Sequence, residues 1–159
     1  MSKIYIFFLF ILLACTDNKP IFPLEPHIEF VSLSPNNIKD RDSFDITIRF
    51  TDGDGDLGSH VDDSDNVIMG DSMHNLYVYE NRPNPDSLYP NPYPNRINNL
   101  TPNTKNPSIQ GTIVIKLSYI ERLDPDNNPS ETFDYDIWLY DRAGNKSNII
   151  TTSKLTITE

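Results

Sequence analysis

Apolar and polar residues alternate with a period of two over three long stretches of this 159-residue chain. In Ser43-Phe44-Asp45-Ile46-Thr47-Ile48-Arg49-Phe50 the apolar side chains share one face, and Asp45, Thr47 and Arg49 share the other. That is the period of a strand, whose successive side chains point to opposite faces of a sheet. Gly111 to Ile120 repeats the pattern with Ile113, Ile115, Leu117 and Tyr119 on one face. Thr132 to Asp141 does so with Phe133, Tyr135, Ile137 and Leu139 inward and Asp134 and Asp136 outward. Trp138 falls outside that inward set, which assigns it to packing on the second sheet face or under a loop. Shorter runs at His27 to Leu33, Asn75 to Glu80 and Asn148 to Thr158 complete the series. No window shows a helical period of 3.6. Six or seven short strands with polar outer faces predict an all-β fold, an antiparallel sandwich.

The punctuation between these runs agrees. Asp141 to Ser147 forms a turn in which Gly144 is expected to supply a positive φ. Arg82 to Pro107 differs in character, because seven of the thirteen prolines fall there among many asparagines. Proline removes ladder donors and biases its neighbours to extended backbone, so 82–107 is expected to be a long ordered loop without a central strand. The segment Trp-Leu-Tyr-Asp-Arg-Ala-Gly-Asn-Lys-Ser, followed by a last strand, resembles the closing hairpin of bacterial immunoglobulin-like domains. The resemblance implies an immunoglobulin-like antiparallel β-sandwich of about seven strands over 27–159.

The first residues have a different pattern. Lys3 precedes the unbroken apolar run Ile4 to Ala14, and the chain turns polar immediately after Cys15. Eleven helical residues reach only about 16 Å, roughly half a hydrocarbon core. A basic start, a short apolar run and a small residue at the cut predict a secretory signal rather than a membrane span. Leu12-Leu13-Ala14-Cys15 resembles a bacterial lipobox, which implies cleavage before Cys15 and a diacylglyceryl group on its thiol. Residues 1–14 are then a lipoprotein signal peptide. Residues 15–26, with Pro20, Pro23 and Pro26, are a tether that lifts the domain off the membrane.

Removing residues 1–14 takes away one Lys and no acid, so the formal charge moves from −10 to −11. Such an acidic chain argues against nucleic-acid binding and against electrostatic docking on anionic lipid. Anchoring falls to the acyl chains, of which two suffice where one does not. Cys15 is the only cysteine, which excludes an intramolecular disulfide, a zinc ribbon and thiol catalysis.

The chemistry-bearing candidate is Thr51-Asp52-Gly53-Asp54-Gly55-Asp56-Leu57-Gly58. Alternating glycines let the backbone turn and gather Asp52, Asp54 and Asp56, an arrangement suited to Ca²⁺ and its six to eight oxygen ligands. Asp62, Asp63, Asp65 and Asp71 follow, and no Lys or Arg occurs from Phe50 through Asn81. Crowded acids repel, and a divalent cation relieves that. The spacing resembles an EF-hand loop in Asp52, Asp54 and Asp56, with Asp63 where the closing acid would lie. Leu57 occupies the sharp-turn glycine position, however, and strands flank the loop, so an EF-hand is rejected. A calcium loop on a β-scaffold, with Asp52, Asp54, Asp56 and Asp63 as ligands, is the expectation. Its alternative is a hydrated Asp-Gly turn with Leu57 plugging the sandwich edge.

The run Ile-Arg-Phe-Thr-Asp-Gly-Asp-Gly-Asp-Leu-Gly, with Asn99-Leu-Thr-Pro-Asn and Ser108-Ile-Gln-Gly-Thr-Ile, resembles a group of uncharacterised Bacteroidota outer-membrane lipoproteins with a single immunoglobulin-like domain. The resemblance implies an outer-membrane, lipid-anchored place in the cell envelope and no substrate. Asp71-Ser72-Met73 and Asp86-Ser87-Leu88 match that phylum's short O-glycosylation signal at Ser72 and Ser87. His60 and His74 flank the acidic run without metalloenzyme spacing, and no nucleophile elbow, P-loop or dinucleotide fingerprint is present. The expected function is a non-catalytic envelope module, calcium-stabilised, that binds an envelope protein or glycan. The alternative is a small glycan-directed hydrolase using the acidic loop.

Overall fold

The structure is a computed structural model and describes residues 22–59, 74–82, 93–101 and 108–159. Nine strands follow in chain order: β1 His27–Ser34, β2 Asn37–Lys39, β3 Asp42–Asp52, β4 Leu76–Asn81, β5 Tyr93–Asn95, β6 Ile109–Ile120, β7 Ser130–Leu139, β8 Ile150–Thr151 and β9 Leu155–Thr158. The described residues contain no helix. One sheet has the order β1-β3-β6; the other runs β2-β9-β7-β4-β5, with β8 beside β7. Every pairing is antiparallel except β2 with β9. Two packed sheets make the sandwich that the pattern predicts, and they divide the strands in the immunoglobulin-like way that the closing-hairpin resemblance implies.

The core follows from the alternation. Phe44, Ile46, Ile48 and Phe50 of β3 are buried against Phe133, Tyr135, Ile137 and Leu139 of β7 and Leu76 and Val78 of β4. Ile113, expected inside, is only partly buried and packs at the margin of this cluster. Tyr119, expected on the same face as Ile113, Ile115 and Leu117, is 65% exposed, and Ile120 is buried in its place. A bulge is the cause. Phe44 faces Leu117 while Asp42 faces Ile120, so β6 carries one extra residue there and its alternation reverses. Tyr119 sits at φ 62°, which non-glycine residues enter rarely, and the Arg41 guanidinium lies 5.8 Å from its ring centroid.

Two short strands escaped the sequence pattern. β5 lies within the proline-rich 82–107 segment, yet it is an edge strand, where Pro94 opposite Tyr77 removes no interior ladder bond. β2 pairs in parallel with the distant β9. Trp138 is on the outer face of the second sheet, stacked on Tyr77 with ring centroids 5.6 Å apart. Gly144 has φ 89°, as the turn requires.

At the far end of β4, a charged network replaces apolar packing. Arg82 pairs with Glu80 and, at 2.6 Å, with Glu131, and its guanidinium lies 4.1 Å from the Phe133 ring centroid. Glu131 also accepts the amides of Leu123 and Asp124. A cavity of about 320 Å³ opens beside Arg82, Leu123, Asn128 and Glu131.

Candidate functional site

The acidic loop leaves β3 at Asp52, at the end of the sandwich where β4 begins and β7 finishes. Asp52 completes the inward alternation of β3, so its side chain goes where an apolar residue would normally stand, and it is fully buried. One carboxylate oxygen, Oδ2, accepts the Leu57 amide at 2.8 Å and closes the loop. Leu57 is itself fully buried and forms a bridge to Asp141. The plug expected of Leu57 is therefore present, together with converging acids.

Three segments hold the loop in place. From the closing hairpin, the Ala143 amide donates to Asp56 Oδ2 at 2.9 Å, and the Arg142 amide donates to the Asp56 carbonyl at 3.2 Å. From the end of the proline-rich segment, Thr101 Oγ1 donates to the Gly55 carbonyl at 2.8 Å, and the Ser59 amide donates to the Ile97 carbonyl at 2.9 Å. Gly58 makes this approach feasible. Its φ is 111°, and a Cβ there would run into the carbonyl oxygen of Asn98. From the N-terminal side, residues 22 and 23 lie against Gly53.

Asp52, Asp54 and Asp56 each present one carboxylate oxygen to a common point, and these oxygens lie within 4.8 Å of one another. Oδ1 of each is buried and has no hydrogen-bond partner. Two ionised oxygens at that separation repel by roughly 3 kcal/mol at an effective dielectric near 20. The electrostatic result is visible in the acids themselves. Burial, helped by the Asp54 and Asp56 charges and by a carboxyl–carboxylate hydrogen bond to Asp54 that favours the protonated form, and opposed by the Leu57 N–H, pushes Asp52 up to about 6. Asp56 is also raised, first by burial and then by Asp141 and Asp54, against the Ala143 N–H and Arg142.

Carboxylate oxygens that lie within 4.8 Å of one another are near the spacing of ligands around one Ca²⁺, whose oxygens stand at about 2.3–2.6 Å. The residues thus suit a hard divalent cation. Among the described residues no Lys or Arg forms an ion pair with the three acids. Arg142 opposes the rise at Asp56, but its Nη1 donates to Asn99 Oδ1 at 3.1 Å. Asp141, Arg142 and Ala143 were not foreseen as parts of the site, since nothing in their local spacing signals a partner 87 residues away. The fourth expected ligand, Asp63, lies outside the described residues, as do Cys15, His60, Ser72 and Ser87. Asp141 does not join the cluster, because its carboxylate accepts the backbone and side-chain N–H groups of Asn145 at 2.7 and 2.8 Å. No family model, curated protein or solved structure matches this chain.

Proposed function

We propose that this chain is a lipid-anchored, non-catalytic module of the cell envelope, held to the outer membrane through Cys15, whose sandwich is closed at one end by a bound Ca²⁺. What supports the cation is that Asp52, Asp54 and Asp56 bring carboxylate oxygens within 4.8 Å of one another, and that Oδ1 of each is buried without a hydrogen-bond donor. Leaving such groups unsatisfied costs more than leaving neutral ones, and a divalent ion both neutralises and coordinates them. The lipid anchor is supported by the apolar run ending in Leu12-Leu13-Ala14-Cys15. Its place among Bacteroidota lipoproteins rests on the resemblance of the Ile48 to Gly58 run and its companions. An envelope protein or a glycan remains the partner class for the exposed loops.

A hydrolase built on the same acids draws less support. Glycoside hydrolysis needs two carboxyl groups flanking a sugar bond, and Asp52 is fully buried behind Leu57 and the closing hairpin. Calorimetry of the mature domain tests the cation: Ca²⁺ should bind and raise the melting temperature, and Mg²⁺, which demands a tighter octahedron, should do less. Identical melting curves in chelator and in millimolar Ca²⁺ would reduce the loop to a hydrated turn. Labelled palmitate incorporated equally by the wild type and by Cys15→Ser would remove the anchor.

A further inference from the structure

The acidic loop and the chain leading in from the anchor share one contact. β1 begins at His27 directly opposite Thr51, so the residues before it run beside the point where β3 enters the loop. Phe22 is half-buried and Pro26 is buried, whereas Leu24 between them is 60% exposed. The close approach is at Gly53, between Asp52 and Asp54. A Cβ on Gly53 would run into the carbonyl oxygens of Phe22 and Pro23, so backbone rests on backbone with no side chain between. Any displacement of Gly53 moves the surface on which residues 22 and 23 sit. Gly53 stands in the chain between Asp52 and Asp54, and the fully buried Asp52 carries an Oδ1 without a hydrogen-bond partner.

We propose that a divalent cation held by Asp52, Asp54 and Asp56 seats residues 22–26 on the sandwich, so that cation occupancy sets how far the domain stands from its lipid anchor. This rests on the loop being a cation site and on Cys15 being the anchor. With the ion bound, six residues, 16–21, span from the lipidated cysteine to the docked segment, about 20 Å at full extension. With the ion removed, the three carboxylates repel, Gly53 shifts, and five more residues lengthen the tether by up to about 17 Å. The cation concentration around the domain is then read as reach from the membrane.

Cys15 is the only native thiol, so a chain produced without the signal peptide and with Cys15→Ser can carry spin labels at Leu24→Cys and at Lys154→Cys, next to β9 of the other sheet. Pulsed dipolar spectroscopy should give a narrow distance distribution in Ca²⁺, and in chelator a broad one, set by the about 10 Å reach of the three residues that join position 24 to β1. Asp54→Asn with Asp56→Asn should give the broad distribution under both conditions. Gly53→Ala should still bind Ca²⁺ by calorimetry yet lose the narrow distribution. A control pair on the sandwich body, Thr112→Cys with Lys154→Cys, should not change with Ca²⁺, which reports an intact fold. If Ca²⁺ binds by calorimetry and the Leu24 distribution is the same with and without it, the coupling is wrong and the cation site stands. If no binding heat appears, both fail.

Discussion

Asp52→Asn isolates the cost of the buried charge. The Asp52 carboxyl is held near 6 in the folded chain against an ordinary value of 3.8, mainly by burial. A folded-state value above the unfolded one means that the native state binds the proton more tightly. The associated stability is therefore fully present below about pH 4 and is lost as pH rises through about 6. At pH 7, without metal, an ionised Asp52 costs the fold on the order of 3 kcal/mol. Asn has the same size, and its side-chain carbonyl can still accept the Leu57 amide. In chelator at pH 7 the variant should exceed the wild type in stability by up to about 3 kcal/mol, and the difference should vanish by pH 4.

Calcium should reverse the order. The wild type gains about 2.7 kcal/mol at a hundredfold excess over Kd, while the variant, short of one charged ligand, gains little. Urea unfolding followed by Trp138, the only tryptophan, reads all four conditions. If Asp52→Asn weakens the chelated domain equally at pH 7 and pH 4, charge burial is not the cost. If it retains the full calcium gain, Asp52 is not a ligand.

Ile137 is fully buried in β7, so Ile137→Ala should cost about 2–5 kcal/mol in urea unfolding, with Asp136→Ala costing far less. The β6 bulge is tested by a contrast: Tyr119→Gly should change stability by no more than about 1 kcal/mol, as left-handed strain and the Arg41 contact offset, whereas Ile120→Ala should cost about 2–5 kcal/mol. At the other end, Arg82→Met strands the buried Glu80 and Glu131 and should cost about 3–5 kcal/mol at pH 7, much of it recovered by adding Glu80→Gln.

The long strands were legible because each has one buried face and a clean period of two, as in Phe44, Ile46, Ile48 and Phe50. Legibility stopped where geometry is set by a distant partner. The β6 bulge depends on register with β3, and Gly111 to Ile120 carries no local mark of it. β2 and β5 have three residues each, too few for a period to appear, and their pairing partners are remote. The same division runs through the site. The Asp-Gly repeat announced that Asp52, Asp54 and Asp56 would converge. The amides of Leu57 and Ala143, which occupy one oxygen of Asp52 and one of Asp56 and leave the others to converge, become visible only once β3 and the closing hairpin meet.

The two ends of the sandwich show how this chain treats buried acid, and the contrast yields a last prediction. Glu80 is raised by burial, yet Arg82 and the Tyr135 hydroxyl oppose that shift, so the fold itself supplies a cation and a hydroxyl donor at that end, although one guanidinium serves both Glu80 and Glu131. Around Asp52 the chain supplies amides but leaves three oxygens unmet, and Arg142 gives a hydrogen bond to Asn99 instead. A cation built into the loop should then replace the one from solution. Asp54→Lys is suited to this, because it removes one charge of the trio and brings an ammonium on a flexible stem to the other two. In chelator it should melt higher than the wild type, and added Ca²⁺ should no longer shift its melting temperature. A charge-neutral change, Asp54→Asn, should recover only part of that gain, since it lessens the repulsion without satisfying the remaining oxygens. Should Asp54→Lys melt below the wild type in chelator while Asp54→Asn melts above it, the site lacks room for a tethered cation. If both melt below it, the three oxygens are not under electrostatic stress, and the case for a metal at this end of the sandwich falls with them.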